Sequence, residues 1–314
     1  MLDLRRMRVL REVAARGSFS AAAEELYLSQ SAVSQQVAAL EREVGLPLLV
    51  RTPQGPRLTD AGRALVRHAE AAIARLEQAE HELAAITGLA GGELRIASFP
   101  SASVTLLTAA VSRFRAAHPE VEISVTEAEP EDSVPQLRAA DIDLAITFDY
   151  PVLAPASHDR DLDRVLLLTE SMYVALPRDH PLATRRTVRL RDLAGEPWLC
   201  GVRPSSCGEV VVKACVGAGF EPRIAVESDE YQVLEGYIAA GLGVTLLPDL
   251  ALPTLHDDLV VRPTEPAAPK RRVWAATRAE GARSIATEAM VAVLREVGDE
   301  LADEAARGVA AKAA

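Results

Sequence analysis

The sequence predicts an α/β chain in which a small helical domain and one long helix precede a larger, two-lobed body. Three observations predict this. Before residue 60, apolar residues fall in short helical stripes separated by turn residues. From Leu65 to Ile86 they recur at alternating spacings of four and three. Beyond Glu93, short runs rich in Ile, Val and Leu alternate with helical stretches, the pattern of a parallel sheet with helices on its faces.

Composition bounds the reading. At 314 residues the chain is too long for one average domain and long enough for two or three with real cores. The net charge is −11, but it is unevenly spread: residues 1–60 hold eight Arg against seven Asp or Glu. An acidic body discourages non-specific adhesion to polyanions, so any affinity for nucleic acid must come from locally placed cations and helix termini. Three scattered cysteines argue against a disulfide framework and for a reducing compartment. MLDLRRMRVL lacks a signal-peptide core and no apolar run reaches membrane-span length, so a soluble, cytoplasmic protein is expected, with no membrane partner.

Residues 1–59 read as a winged helix-turn-helix. Leu10, Val13 and Ala14 give a first helix its inner face, and Gly17-Ser18 ends it. A short helix opens near Ser20 with Ala23 and Leu26 inward, and Tyr27-Leu28 makes a tight connection. Ser29 is placed to N-cap the next helix, where Val33, Val37, Leu40 and Val44 form one buried stripe. The opposite face presents Gln30, Ser31, Ser34 and Gln35, neutral side chains that donate and accept hydrogen bonds, as base edges in a major groove require. Gly45 stops the helix and Leu46–Val50 returns as a strand. Arg51 and Arg57 flank a Thr-Pro-Gln-Gly-Pro turn carrying Gln54, with Thr59 at its exit. A wing of this shape reaches backbone phosphate or the minor groove of double-stranded DNA.

Residues 60–88 form a linker helix. Leu65, Ala69, Ala72, Leu76, Ala79, Leu83 and Ile86 make an unbroken a/d seam that predicts a dimerisation coiled coil. The competing reading packs the helix on its own domain. At 1.5 Å per residue it spans roughly 40 Å.

The body then divides into lobe I, residues 92–163 and 268–305, and lobe II, residues 164–267. In lobe I, strands at Glu93–Ser98, Val121–Val125 and Leu144–Thr147 alternate with helices at Ser103–Ala117 and Asp132–Ala140. Lobe II has strands at Arg164–Leu168, Met172–Leu176, Trp198–Cys200 and Arg223–Val226, helices to about Ala218 and over Asp229–Ala240, and a turn and strand over Gly241–Pro248. Pro263 to Pro269 reads as a return crossing to the strand Arg272–Ala276, which lobe I can accept. A helix over Arg283–Leu301 and an Ala-rich, fraying end complete the chain. Two α/β lobes joined by two crossings make a clamshell like that of periplasmic binding proteins.

AAEELYLSQSAVSQQVAALEREVGLPLLVRTPQGPRLTDAG closely resembles the N-terminal domain of LysR-type transcriptional regulators, through SQSAVSQQ and the R-x5-R-L-T-x-A-G wing exit. The family often carries Pro where Ser31 stands and Arg where Gln35 stands, so this helix lacks one charged base contact. AAHPEVEISV and AGFEPRIAVESDEYQVLEGYIAAGLGVTLLP resemble the family's effector domain more weakly, and together the likeness covers nearly the whole chain. It implies a homodimer or homotetramer on DNA, a small-molecule effector, and RNA polymerase as a further partner.

In open parallel sheets ligands bind beyond the C-terminal strand ends, where helix N-termini offer free N–H groups. Two such ends are expected to face each other: Ser98, Pro100, Ser101 and Ser103 in lobe I, and Arg203, Ser205, Ser206 and Cys207 in lobe II. Thr147, Phe148, Ser228 and Tyr231 complete the candidate effector site, with ordinary helix capping as the plainer role for each Ser. Arg203 would neutralise an anionic effector such as a carboxylate; Asp149 at the rim would select an amine or face water. Some LysR-type members sense peroxide through a thiol like Cys207 with a resolving partner, here Cys200 or Cys215. Cys215 lies two turns down the same helix, so bonding would require unwinding. The six His form no ligand-spaced pair, and neither a phosphate-cradling Gly loop nor a nucleophile elbow occurs; no metal, cofactor or enzymatic centre is expected. The function expected is therefore that of a DNA-binding regulator switched by an effector. The alternative is a small-molecule binding protein or enzyme whose N-terminal helices merely dimerise it.

Overall fold

The computed structural model describes residues 2–52, 55–86, 92–153, 161–265, 267–279 and 283–313, with side chains described except at 51, 74–75, 77–86 and 305–313. The chain forms two compact units. One is Met1–Gly88 with Arg138–Asp141; the other is Leu89–Leu137 with Ile142–Ala314.

In the first unit, Asp3 caps α1 (Leu4–Arg16) by accepting from the Arg5 N–H, and Gly17 ends it in a left-handed conformation. Ser18 caps α2 (Phe19–Glu25). The α2–α3 connection turns on Tyr27, whose φ of 52° is unusual for a residue with a Cβ. Ser29 caps α3 (Gln30–Val44), accepting from the Ala32 N–H at 3.2 Å, and Gly45 closes it. Val9 and Val13 of α1, Ala22 and Ala23 of α2, and Val33 and Val37 of α3 bury one shared core. β1 (Leu49–Thr52) and β2 (Gly55–Leu58) pair antiparallel as the wing. Glu41, on α3, fixes how the wing leaves that helix: its Oε1 accepts from the Leu48 N–H at 2.8 Å and the Leu49 N–H at 3.2 Å.

The long helix α4 (Asp60–Ile86) has the expected length. Its seam does not act as one unit, however. Leu65 and Ala69 are buried with Met7, Leu10, Leu40 and Leu48 in a second core of the same chain. The first turns are drawn onto α1 because Gly62 lets the helix backbone approach the wing: a Cβ there would sit 2.1 Å from the Leu48 carbonyl oxygen. The self-packing alternative thus holds for the N-terminal end of the seam. Ala72 is half-buried and Leu76 is 52% exposed. The side chains of Ala79, Leu83 and Ile86 lie outside the described residues.

The second unit holds both lobes. Lobe I is a five-stranded sheet in the order β4-β3-β5-β14-β6, built from β3 (Glu93–Ser98), β4 (Glu122–Glu127), β5 (Leu144–Asp149), β6 (Leu162–Glu170) and β14 (Arg271–Arg278). β3 pairs in parallel with β4 and β5, whereas β14 runs antiparallel to β5 and β6. This corrects the sequence reading, which put residues 164–168 in lobe II: β6 belongs to lobe I because Val165, Leu167 and Leu168 pack into its core beside Val273 and Ala275. A short turn α5 (Pro100–Ala102), a π-helical segment Ser103–Leu107 and α6 (Thr108–Ala117) run on without a break, three residues earlier than expected. Hydroxyls loosen this stretch: Ser103 Oγ donates to the Phe99 carbonyl at 3.1 Å and Thr105 Oγ1 to that of Ser101 at 2.9 Å. Leu106 and Phe114, with Met290 and Leu294 of α10 (Ile285–Ala313), cover one face of the sheet. α7 (Pro130–Arg138) covers the other through Leu137, over the small residues Ala97, Ala145 and Ala276. α10 continues to Ala313, past the point where fraying was expected.

Lobe II centres on β7 (Met172–Pro177), flanked antiparallel by β11 (Thr245–Pro248) and β12 (Leu259–Arg262). β8 (Val188–Arg189) pairs in parallel with β13 (Thr264–Glu265). β9 (Pro197–Cys200) and β10 (Arg223–Glu227) pair in parallel, and backbone bonds join Leu199 to Val244. α8 (Ser206–Gly217) packs through Val210, Val211 and Cys215, and α9 (Tyr231–Ala239) through Leu234 and Ile238. The 3-10 turn Asp249–Thr254 and strands β12 and β13 carry no periodicity in sequence and were not anticipated. No helix among the described residues is long and apolar enough to cross a membrane.

Candidate functional site

The winged helix presents its polar face as the sequence implies. Gln30, Ser31 and Gln35 are exposed and Ser34 half-buried. Among the described residues, the Gln30 and Gln35 amides make no hydrogen bond within the chain, so their donors and acceptors stay available to base edges. Ser29 is already used: its hydroxyl caps α3 and lies 3.0 Å from that of Ser31. On the wing, Arg57 is exposed, with no ion pair among the described residues. Arg51 stands opposite Pro56 in the hairpin, its side chain outside the described residues, as is all of Gln54. Thr59 departs from its expected role. Its hydroxyl donates to the Pro47 carbonyl at 2.8 Å and accepts from the Gly62 N–H at 3.0 Å, so it caps α4 and fastens the wing.

In the second unit, the two expected helix starts belong to one cleft, but its chemistry differs from the expectation. Its floor is Arg271, fully buried at the start of β14. Arg271 Nε donates to Glu170 Oε1 at 2.6 Å, across the β6–β14 register, and Nη2 donates to Ser101 Oγ at 3.0 Å. The guanidinium lies over the rings of Phe99 and Phe148, 4.9 Å and 5.1 Å from their centroids. Burial drives Arg271 down and Glu170 up, both toward neutrality. The contact with Glu170 outweighs this for Arg271, which stays a cation with its pKa above the ordinary range.

Tyr150, just past β5, reaches across from lobe I. Its hydroxyl lies 3.7 Å from the Cys207 sulfur in α8 of lobe II. Also across the cleft, Glu131 Oε1 accepts from the Ser206 N–H and hydroxyl, both at 3.3 Å. The free end of α8 is thereby occupied by a carboxylate of the chain itself. Arg203 is likewise taken, its Nε donating to Glu227 Oε1 at 2.9 Å. Beneath these, a small cavity is lined by Cys207, Ser228, Asp229, Tyr231 and Thr245 among others. Near Cys207, burial lifts the Glu129 carboxyl from 4.5 to about 7, helped by the neighbouring charges of Glu131, Asp229 and Glu230 and opposed by Arg271.

Of the expected effector residues, Ser101, Phe148, Ser206, Cys207, Ser228 and Tyr231 meet at this cleft. Ser205 caps α8 and Ser103 is bonded back to Phe99. Ser98 is fully buried, its hydroxyl donating to the Phe99 carbonyl, and Pro100 opens α5. Thr147 is corrected: strand alternation turns it away from Phe148, opposite Trp274. Asp149 is corrected too, since it is held by Arg272 at 2.7 Å and Arg164 at 3.0 Å. The thiols are not activated. Burial pushes Cys200 up to about 11 and Cys207 and Cys215 up to about 12. Sequence reasoning missed Arg271, Glu170, Tyr150, Glu129 and Glu131. For Arg271 a signal existed: in Lys270-Arg271-Arg272-Val273-Trp274-Ala275, only Arg271 shares parity with Val273 and Ala275. Among the described residues no group of His, Cys, Asp and Glu is arranged to hold a metal.

Residues 4–63 match the family model for the bacterial regulatory helix-turn-helix protein of the lysR family, and residues 87–299 match the LysR substrate binding domain. The chain belongs to the LysR family of transcriptional regulators. It is similar to the transcriptional dual regulator GltC of Bacillus subtilis, 31% identical over 79% of this chain and 81% of that protein. The probable HTH-type transcriptional regulator LrrA of Synechococcus elongatus is 30% identical over 96% and 99% of the two chains. Among solved structures, full-length OxyR from Pseudomonas aeruginosa superposes with a TM-score of 0.70 at 24% identity, covering 94% of this chain and 95% of that one, a likeness of fold. As a LysR regulator, the chain couples a DNA-binding helix-turn-helix to an effector-binding domain.

Proposed function

We propose that this LysR regulator is a one-component switch in which an effector lodged between Tyr150, Cys207, Tyr231 and Arg271 biases how paired winged helices lie on DNA. The supporting observation is that contacts from both lobes converge there, Tyr150 on Cys207 and Glu131 on Ser206. A ligand that enters must trade against them, so its affinity differs between lobe arrangements, which is what a population shift requires. Gln30, Ser31, Ser34 and Gln35 read bases, and Arg51, Gln54 and Arg57 hold phosphate or the minor groove. The protein works in the cytoplasm as a homodimer or homotetramer, with RNA polymerase as the eventual listener, and without catalysis. Leu76 and the residues after it, rather than Leu65 and Ala69, supply the α4 contact between copies.

Gel-shift titrations on DNA from the gene's own upstream region test the reader. Gln30→Ala is expected to lower specific affinity by about tenfold, a loss of 1–3 kcal/mol, and to leave competitor binding alone. Arg57→Ala is expected to weaken all sequences alike and to reduce the salt slope by about one phosphate equivalent. Equal losses on every sequence for both variants would refute the assigned roles.

A further inference from the structure

The cleft's charge identifies the class of effector, given the reading that the effector lodges there. Two of the groups that the sequence offered to an anion, Arg203 and the start of α8, are already satisfied by carboxylates of the chain, as is Arg271 at the floor, whereas the start of α5 has no side-chain cap. Arg203 is held by Glu227, the start of α8 by Glu131, and Arg271 by Glu170. Beside α8, negative charge is left over. Among the described residues the Glu129 carboxylate makes no hydrogen bond or ion pair, and its neighbours are Glu131 in the first turn of α7, which Glu129 precedes, and Asp229 and Glu230 from lobe II. A second feature lies beside Cys207, which is also close to Glu129. Tyr150 is only 3% exposed, and among the described residues the one partner of its hydroxyl is a thiol at 3.7 Å, a long, weak contact. Phenol and carboxylate oxygens accept hydrogen bonds, and the rings of Tyr150 and Tyr231 attract a cation by their faces. A carboxylate aimed at the start of α8 would instead meet Glu129, Glu131, Asp229 and Glu230 and would have to displace Glu131.

We propose that the effector of this cleft carries a positive charge, as an aliphatic amine or guanidine, with Glu129 as its counter-ion and Tyr150 as a hydrogen-bond acceptor. The test is thermal unfolding of the full chain, near pH 8, with putrescine, agmatine, butanediol and succinate. All four share a four-carbon chain and differ in end-group charge. The expected result is a midpoint raised by putrescine or agmatine and unmoved by butanediol and succinate. Glu129→Gln preserves the side-chain shape and is expected to weaken the amine effect at least about tenfold in concentration; Tyr231→Ala is expected to weaken it as well. A rise with succinate that Tyr231→Ala abolishes would overturn the cationic class while keeping the cleft as the effector site. An amine effect untouched by both variants would place binding elsewhere and overturn both readings. No rise with either amine would overturn the class outright.

Discussion

Glu129 makes the stability of the effector unit depend on pH in a direction opposite to that of an ordinary paired carboxylate. Burial, reinforced by Glu131, Asp229 and Glu230, lifts its carboxyl to about 7 from 4.5, with Arg271 opposing. The folded state therefore holds the proton more tightly than the unfolded chain, and folding takes up a proton between these two values. Stability is fully present below about pH 4.5, falls as pH rises through about 7, and is flat above that. At 1.36 kcal/mol per unit, the displacement amounts to at most about 3 kcal/mol. Glu129→Gln cannot ionise, so its stability relative to the parent is expected to be near zero at pH 4.5 and to grow to no more than that ceiling above pH 7. Both tryptophans, Trp198 and Trp274, lie in the second unit, so urea unfolding followed by their fluorescence reports that unit alone. A difference between Glu129→Gln and parent that stays constant from pH 4.5 to 8 would refute the reasoning, because it would show a packing effect with no ionisation behind it.

Three further outcomes are expected. Gly62→Ala places a Cβ 2.1 Å from a backbone oxygen, so it should cost the first unit more than about 2 kcal/mol and lower its melting transition while the second unit's holds. Tyr27→Asn should raise stability by about 1 kcal/mol in urea unfolding of the first unit, since the side chain is 96% exposed and only its left-handed backbone is strained. Cys200, Cys207 and Cys215, all pushed to about 11 or 12, should alkylate far more slowly than a free thiol at neutral pH, and peroxide should leave all three titratable; rapid modification of Cys207 would contradict its burial.

The parts of this molecule legible in its sequence are those where one local pattern decides the outcome. Val33, Val37 and Leu40 mark a helix face, Ser29 and Gly45 its ends, and no other conformation uses them as well. The same holds for β3, whose bounds were read to the residue. The α4 seam shows where local pattern stops. A spacing of four and three suits a partner helix and the chain's own core equally, and the choice fell to a glycine at Gly62 and to the apolar side chains of Leu10 and Leu40 that Leu65 and Ala69 pack with. β6 was misplaced for a related reason: a strand states its faces but not its neighbour, and the neighbour here, β14, lies about a hundred residues onward. The cleft was hardest. Which group each carboxylate answers depends on contacts between distant segments, Glu131 to Ser206 across the lobes and Glu170 to Arg271 within lobe I, that no periodicity encodes. That is why helix starts read from the sequence implied an anionic effector. Once Glu131 occupies the start of α8 and Glu227 holds Arg203, the carboxylate left over at Glu129 favours a cation.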